Sequence, residues 1–394
     1  LAAETFTFMD SDTQMHLISG FSDKELREIL DEIFVDDTVD IIEEMPANVV
    51  SRILKNTDAE TRKQINAILD YPTDSAGSVM TTEYVYLHKN MTTKEALDWI
   101  RKVGVVKETI YTCYITESRK LIGFVTILDL VTADEDATIE SIMDSNVKFV
   151  YTHEDREDVA KKFSKYDFLA MPVVDNEERM VGIITFDDVL DVIAEENEED
   201  FSKMAAMQPI EDSYFKTSVF THAKKRIGWL LVLMLSATIT GNLLTKYEEA
   251  FQAIPILVSF IPMLMSTGGN CGSQSSTTVI RGLATGEIQF KDFFKAVFKE
   301  FRISLIISVI LAVTNGLRIF IFYKNLQLSI VITLSIIGTV IIAEFIGCAL
   351  PLIAKKVKLD PAIMATPLIS TIVDTCSMLI YFQFATMIFS ELRH

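Results

Sequence analysis

The chain has 394 residues, a net charge of −19 and 49% hydrophobic residues, and no single average describes it. Residues 1–212 hold 46 Asp and Glu against 20 Lys and Arg, whereas residues 213–394 hold 9 against 16, so an acidic water-facing region precedes a weakly basic one strung with apolar runs. That field excludes nucleic acid as a partner and favours cations, while four cysteines without metal-ligand spacing give neither a disulfide framework nor a zinc site.

In chain order, Leu1 is followed by no basic-then-apolar leader, which reads as a trimmed N-terminus without a secretory signal. Residues 1–72 show short amphipathic patterns. Ser22, three positions ahead of Glu25, is one helix start of the capping-box type. The expectation is an all-α, acidic and truncated N-terminal domain. Residues 73–200 contain an internal repeat in which Gly123, Thr126 and Asp129 recur as Gly182, Thr185 and Asp188, each 59 positions on. Each copy predicts a β-branched strand running into a helix opened by Thr-x-x-Asp, and hence a tandem α/β pair. Such a junction suits a phosphate as well as an ordinary helix cap.

Residues 201–223 are expected to form a connecting helix, and residues 224–394 a five-helix transmembrane domain. Its spans fall at roughly 226–246, 252–280, 302–323, 328–354 and 363–389, each near the length a bilayer requires. Lys224, Lys225 and Arg226, then Lys291, Lys295, Lys299 and Arg302, then Lys355, Lys356 and Lys358 all flank the same side. The positive-inside rule then places the N-terminus in the cytoplasm and the C-terminus outside a multi-pass plasma-membrane protein. Arg318 and Lys324 are read as snorkelling residues.

Two sets of carboxylates stand out. In the acidic half, Asp36, Asp37 and Asp40, then Asp155, Glu157 and Asp167, then Asp188, Asp191, Glu196, Glu199 and Asp200 recur at spacings that bring like charges together on helices. If these faces meet, Mg2+ or another hard divalent cation is their natural bridge, since carboxylate oxygens suit such ions. In the apolar half Asp374 lies inside the last span, where an ionised Asp costs roughly 2.5 to 3.5 kcal/mol on insertion scales and so marks an ion path. Pro367 is expected to free carbonyls of Ser370 and Thr371 toward that path. Gly268, Gly269 and Gly272 would thin the second span so that Asn270 lines the other wall. Glu344 is the other deep carboxylate, read as a protonated helix–helix hydrogen bond.

The repeat over residues 78–200 resembles a pair of CBS domains. That resemblance nominates Thr126, Asp129, Thr185 and Asp188 as contacts for ATP or another adenine nucleotide. The runs from Pro262 to Thr285 and from Leu359 to Asp374 are similar to the MgtE family of magnesium channels, and the domain order agrees over essentially the whole chain. The family pattern often has Asn where this chain has Thr366. The resemblance implies a magnesium-selective channel for Mg2+ uptake, a homodimer in the lipid bilayer with its pore on the two-fold axis, and gating by cytoplasmic Mg2+ between the acidic N-terminal and CBS domains. A proton- or ion-coupled secondary divalent cation transporter is the alternative, and an enzyme is not expected.

Overall fold

The computed structural model describes residues 2–210, 214–364 and 366–392. They divide into two compact units, 1–196 and 197–394.

The first unit opens with six helices, α1 (Ala2–Thr7), α2 (Ser11–Gly20), α3 (Asp23–Leu30), α4 (Val35–Glu44), α5 (Ala47–Asn56) and α6 (Ala59–Leu69). Their starts follow local chemistry. Ser22 and Glu25 form the reciprocal capping box read from their spacing, and Asp10 and Asp58 accept backbone N–H groups at the starts of α2 and α6. The repeat follows as β1 (Tyr86–Leu87), α7 (Thr93–Val103), β2 (Thr112–Glu117), β3 (Lys120–Thr126), α8 (Ile127–Thr132) and α9 (Ile139–Ile142). Its second copy is β4 (Val150–Tyr151), α10 (Arg156–Tyr166), β5 (Ala170–Val174), β6 (Met180–Thr185) and α11 (Phe186–Met204). Each copy is a three-stranded sheet, first pair parallel and second antiparallel, in the orders β1-β2-β3 and β4-β5-β6. Tyr114, Ala170, Met180 and Ile183 pack the two copies together. A larger apolar core joins the helical segment to the second copy, with Val35, Val39 and Ile42 of α4 in the same cluster as Val189 and Val192 of α11.

The second unit contains the end of α11, then α12 (Val219–Lys246), α13 (Glu248–Ala253), α14 (Ile261–Ala284), α15 (Phe293–Tyr323), α16 (Leu326–Lys356) and α17 (Thr366–Ile388). The connecting helix differs from expectation: α11 carries on from the repeat to Met204, and the next helix begins only at Val219, behind the capping hydroxyl of Ser218. The helix stops where Ala206 takes the left-handed conformation at φ 53°, and Pro209 then disfavours helix at Gln208.

Among the described residues, four helical segments are long and apolar enough to cross a membrane: Val219–Lys246, Phe290–Tyr323, Leu326–Lys356 and Pro361–Ile388. The expected count of five is corrected to four on this criterion. The 24-residue α14 forms where the second span was expected, but its Ser, Thr, Asn, Gln and Gly residues keep it from being apolar enough. The small residues face protein, with Gly268, Gly269, Gly272, Ser275 and Ser276 buried where the helix packs against α16 and α17, whereas Asn270, Gln274, Thr277 and Thr278 are exposed.

Closest approach occurs between α14 and α16, where a Cβ added at Gly347 would collide with the carbonyl oxygen of Gly272. Close backbones of this kind replace the hydrophobic driving force that a bilayer does not supply. Gly347→Val is therefore expected to destabilise the full-length protein by roughly 1 to 3 kcal/mol, the usual scale of overpacking. Gly228→Ala, at a position with no neighbour within 4 Å, should leave the melting temperature in detergent unchanged or slightly raised. Equal Tm for the two variants would contradict the packing.

Candidate functional site

The acidic site of the first unit is a consequence of its core. Because Val35, Val39 and Val189 are buried together, the polar edges of α4 and α11 are brought side by side with Asp36, Asp37 and Asp40 on one and Asp187 and Asp188 on the other. Burial first, then the charges of Asp188, Glu108, Asp37 and Glu83, push Asp36 up to about 9. Burial first, then the charges of Asp188, Asp37, Glu43 and Glu195, raise Asp40 to about 7 at the cleft's exposed rim. Asp188 is raised to about 6 by burial, against the lowering effect of its bond from Thr185. Burial raises Asp37 too, with Asp187 adding to it. One oxygen of Asp36 is fully buried without a hydrogen-bond partner, which is costly for an acceptor inside a protein.

Glu83 and Glu108 belong to this site and were missed from the sequence. Glu108 is pushed up to about 7 by burial and by Asp188, Asp187, Asp37 and Glu83. The two segments are held together by the Glu108 N–H donating to the Glu83 carbonyl at 2.9 Å. No periodicity along the chain could have joined two loop residues to α4.

The other expected members go elsewhere. Asp155 caps α10 by accepting from the N–H groups of Glu157 and Asp158, Glu157 pairs with Lys161 at 2.7 Å, and Asp167 ends the helix in the left-handed conformation at φ 53°. Arg156 holds Glu195 at 2.8 Å and Glu196 at 3.1 Å. Glu199 pairs with Lys203 at 2.6 Å. Asp191 is exposed on α11, and Asp200 is half-buried. Among the described residues no three His, Cys, Asp or Glu side chains converge as a set that could hold a metal ion.

At both nominated nucleotide positions the hydroxyl and carboxylate bond each other. Thr126 Oγ1 donates to Asp129 Oδ2 at 2.6 Å, and Thr185 Oγ1 to Asp188 Oδ2 at 2.5 Å. Asp188 is thus shared between a helix cap and the acidic cleft.

In the second unit Asp374 is half-buried on α17, and among the described residues it makes no hydrogen bond or ion pair. Its helix packs antiparallel to α14, since Gly268 faces Val373 and Ser377 whereas Gly272 faces Ile369. Gly269 abuts Ser370, and Asn270 on the same helix is exposed. Pro367 occupies the second position of α17, where its missing N–H leaves no interior carbonyl free. This corrects the expected break: the Ser370 and Thr371 hydroxyls donate back to the carbonyls of Thr366 and Pro367. Thr240 of α12 meets Thr375 of α17 at 2.9 Å. Glu344 and Glu300 are only 2% and 8% exposed, and Ser275 donates to Glu300 at 2.9 Å and to the Glu344 carbonyl at 3.2 Å. Ser275 of α14 thus links the backbone of Glu344 to the side chain of Glu300 on α15.

A tandem α/β repeat joined to an acidic helical segment and followed by long apolar helices defines a multi-domain membrane protein. Residues 261–384 match the MgtE family, described as a divalent cation transporter, residues 1–74 match the MgtE intracellular N domain, and residues 76–136 and 139–195 each match a CBS domain. The chain is 35% identical to the magnesium transporter MgtE of Bacillus subtilis (strain 168), covering 89% of this chain and 78% of that protein. To the magnesium transporter MgtE of Thermus thermophilus it is 34% identical over 84% and 74% of the two chains. It is also similar to a crystal structure of the cytosolic domain of the Mg2+ channel MgtE in complex with ATP, at 37% identity and a TM-score of 0.46, covering 48% of this chain and 79% of that one. The chain belongs to the MgtE family of magnesium transporters.

The raised carboxylates set a pH dependence for the α4–α11 contact when magnesium is chelated. A carboxylic acid whose folded value lies above its free value of about 4 contributes most below that value, and its contribution is lost as pH rises through the folded one. With Asp188 at about 6, Asp40 and Glu108 at about 7 and Asp36 at about 9, the contact should weaken steadily from about pH 4 to 9. Limited proteolysis of the full chain with chelator present checks this: cleavage within residues 1–196 should be faster at pH 8 than at pH 5.5, after correction for protease activity. Equal rates would contradict the assignment.

Proposed function

We propose that the chain is a magnesium-selective channel for Mg2+ uptake into the cell, closed by cytoplasmic Mg2+ that binds the acidic cleft. The observation that carries the reading is Asp374, a carboxylate in a membrane helix with no cation or donor of its own among the described residues. Magnesium dehydrates reluctantly and is usually held through water by one or two carboxylates. Two copies of Asp374 facing each other across a dimer axis meet that requirement, with the Asn270 amide and the hydroxyl oxygens of Ser370 and Thr371 completing a polar wall. The basic connections support a cytoplasmic N-terminus and an extracellular C-terminus in the plasma membrane.

For regulation, the cleft residues are Asp36, Asp37, Asp40 and Asp188, joined by Glu83 and Glu108. A hydrated magnesium ion can neutralise several of these carboxylates through its water shell. Magnesium then favours the compact state because that state alone offers carboxylates from α4, α11 and both loops to one ion. Adenine nucleotide is a second ligand of the repeat. Thr126 and Asp129 suit it better than Thr185 and Asp188, because Asp188 stands among carboxylates that repel phosphate.

A proton-coupled carrier is the second reading, and the observation in its favour is the buried Glu300–Ser275–Glu344 group. Vesicle uptake separates the two, since a carrier of this kind requires a proton gradient and a channel requires only the ion's own gradient.

Asp374→Asn keeps the side chain's volume and removes its charge, so Mg2+ uptake by vesicles should fall at least about tenfold, the equivalent of 1.4 kcal/mol. Wild-type uptake by this variant would remove Asp374 from the pore. In the cleft, Asp36→Asn and Asp188→Asn together should make residues 1–196 protease-resistant without magnesium, whereas the parent chain should need about 10 mM, within the range of weak carboxylate sites. An unchanged magnesium requirement would exclude the cleft as the sensor.

A further inference from the structure

The helix α15 is longer than a bilayer core is thick. Its 31 residues rise roughly 46 Å at about 1.5 Å each, against a core of ~30 Å. The charge-free stretch of the helix runs from Ile303 to Leu317, so the turns before it belong at the level of the lipid headgroups. Those turns carry two stripes, each spaced i, i+4, i+7 and set one residue apart. One is Phe294, Phe298 and Phe301, which are 84%, 63% and 45% exposed, and the other is Lys295, Lys299 and Arg302, all exposed. Among the described residues none of these three cations has an ion pair or a side-chain hydrogen bond. The two acids of the same segment are engaged elsewhere: Asp292 accepts the Gln289 N–H at 3.1 Å, and Glu300 is buried and accepts from Ser275.

The aromatic stripe borders a cleft of about 360 Å3 between α15 and α16. Phe294, Val297, Phe298 and Phe301 form one wall, Ile341 and Phe345 stand on the other, and every bordering side chain is apolar. Water does not enter such a space, and leaving it empty forfeits dispersion contacts along its walls. A hydrocarbon chain fills it. A second copy of this face does not suit the site, because a two-fold interface brings the same patch together and would set three cations against three more. A soluble anion leaves the cleft empty, and a zwitterionic lipid brings the cations no net countercharge. An acyl chain joined to an anionic headgroup answers both stripes, and the aliphatic stems of the Lys and Arg side chains extend along the apolar surface while their heads reach the headgroup.

We propose that the cleft between α15 and α16 is a binding site for an anionic phospholipid, with one acyl chain between Phe298 and Phe345 and the headgroup phosphate held by Lys295, Lys299 and Arg302. Basic pockets between membrane helices hold lipid headgroups of this kind. With the orientation given above the lipid belongs to the cytoplasmic leaflet, and its binding does not depend on the channel reading.

For the test, full-length protein in detergent is titrated with phosphatidylglycerol and, separately, with phosphatidylcholine of the same chains, and bound lipid is counted by mass spectrometry of the intact protein. A cation beside an anionic lipid surface is worth about fivefold in affinity, so three should give phosphatidylglycerol a preference of at least about tenfold. Lys295→Gln, Lys299→Gln and Arg302→Gln together should cut that preference to about twofold or less, with the Tm of the lipid-free protein unchanged because the three side chains are exposed and unpaired. The same replacement of Lys224, Lys225 and Arg226 at the start of α12 should leave the preference intact. Ile341→Trp, which fills the cleft, should weaken both lipids alike, and glycerol phosphate, a headgroup without chains, should not displace phosphatidylglycerol. Equal binding of the two lipids by the parent, an equal loss of preference in the two triple variants, or displacement by glycerol phosphate would overturn the site. A cleft covered by a second copy would bind neither lipid, and Ile341→Trp would then lower the oligomeric state, which would overturn it as well.

Discussion

The structure turns on a conflict between two forces in the first unit. Apolar burial draws α4 onto α11, with Val35, Val39, Val189 and Val192 in one core, and the same packing forces Asp36 against Asp188, Glu108 and Glu83. Burial of this kind favours contact by roughly 25 cal/mol per Å2 of apolar surface, while like charges withdrawn from water oppose it. Burial and the neighbouring carboxylates push Asp40 and Glu108 up to about 7.

The membrane unit meets the opposite requirement, stiffness without water. Small residues let α14 lie against α16 and α17, and Ser276, Thr240 and Ser275 satisfy polar groups across helices. The Tyr381 hydroxyl donates to the Leu257 carbonyl at 2.9 Å, so even the irregular approach to α14 is anchored. The Thr339 hydroxyl is buried without a partner among the described residues, and Asp374 is a half-buried carboxylate of the kind whose charged form is costly at membrane depth.

Much of this was legible in residue order. The capping box at Ser22 and Glu25, the 59-residue repeat and the isolation of Asp374 are each local or periodic signals, and local chemistry sets them. The sequence-based reading failed where tertiary packing chooses partners. Asp155, Glu157 and Glu196 look like members of the acidic site by composition, yet a helix cap, Lys161 and Arg156 take them. Glu83 and Glu108 look like ordinary loop acids and enter the site because the repeat's fold carries them there. Pro367 was expected to break a helix that in fact begins at Thr366, since proline's effect depends on its distance from the helix start. The polar α14 was expected among the spans on length, and only the packing of its glycines and serines against α16 and α17 explains why a helix of that composition is buried.

The central claim is that magnesium acts on the acidic unit to close the pathway through the membrane unit. Recording magnesium current across a planar bilayer holding oriented full-length protein, with magnesium raised on one side at a time, tests it most directly. Current should fall as magnesium rises to about 10 mM on the side facing residues 1–196, in the range of weak carboxylate sites, and should continue to flow when the same concentration is placed on the other side. Equal inhibition from both sides, or inhibition from neither, would contradict the account.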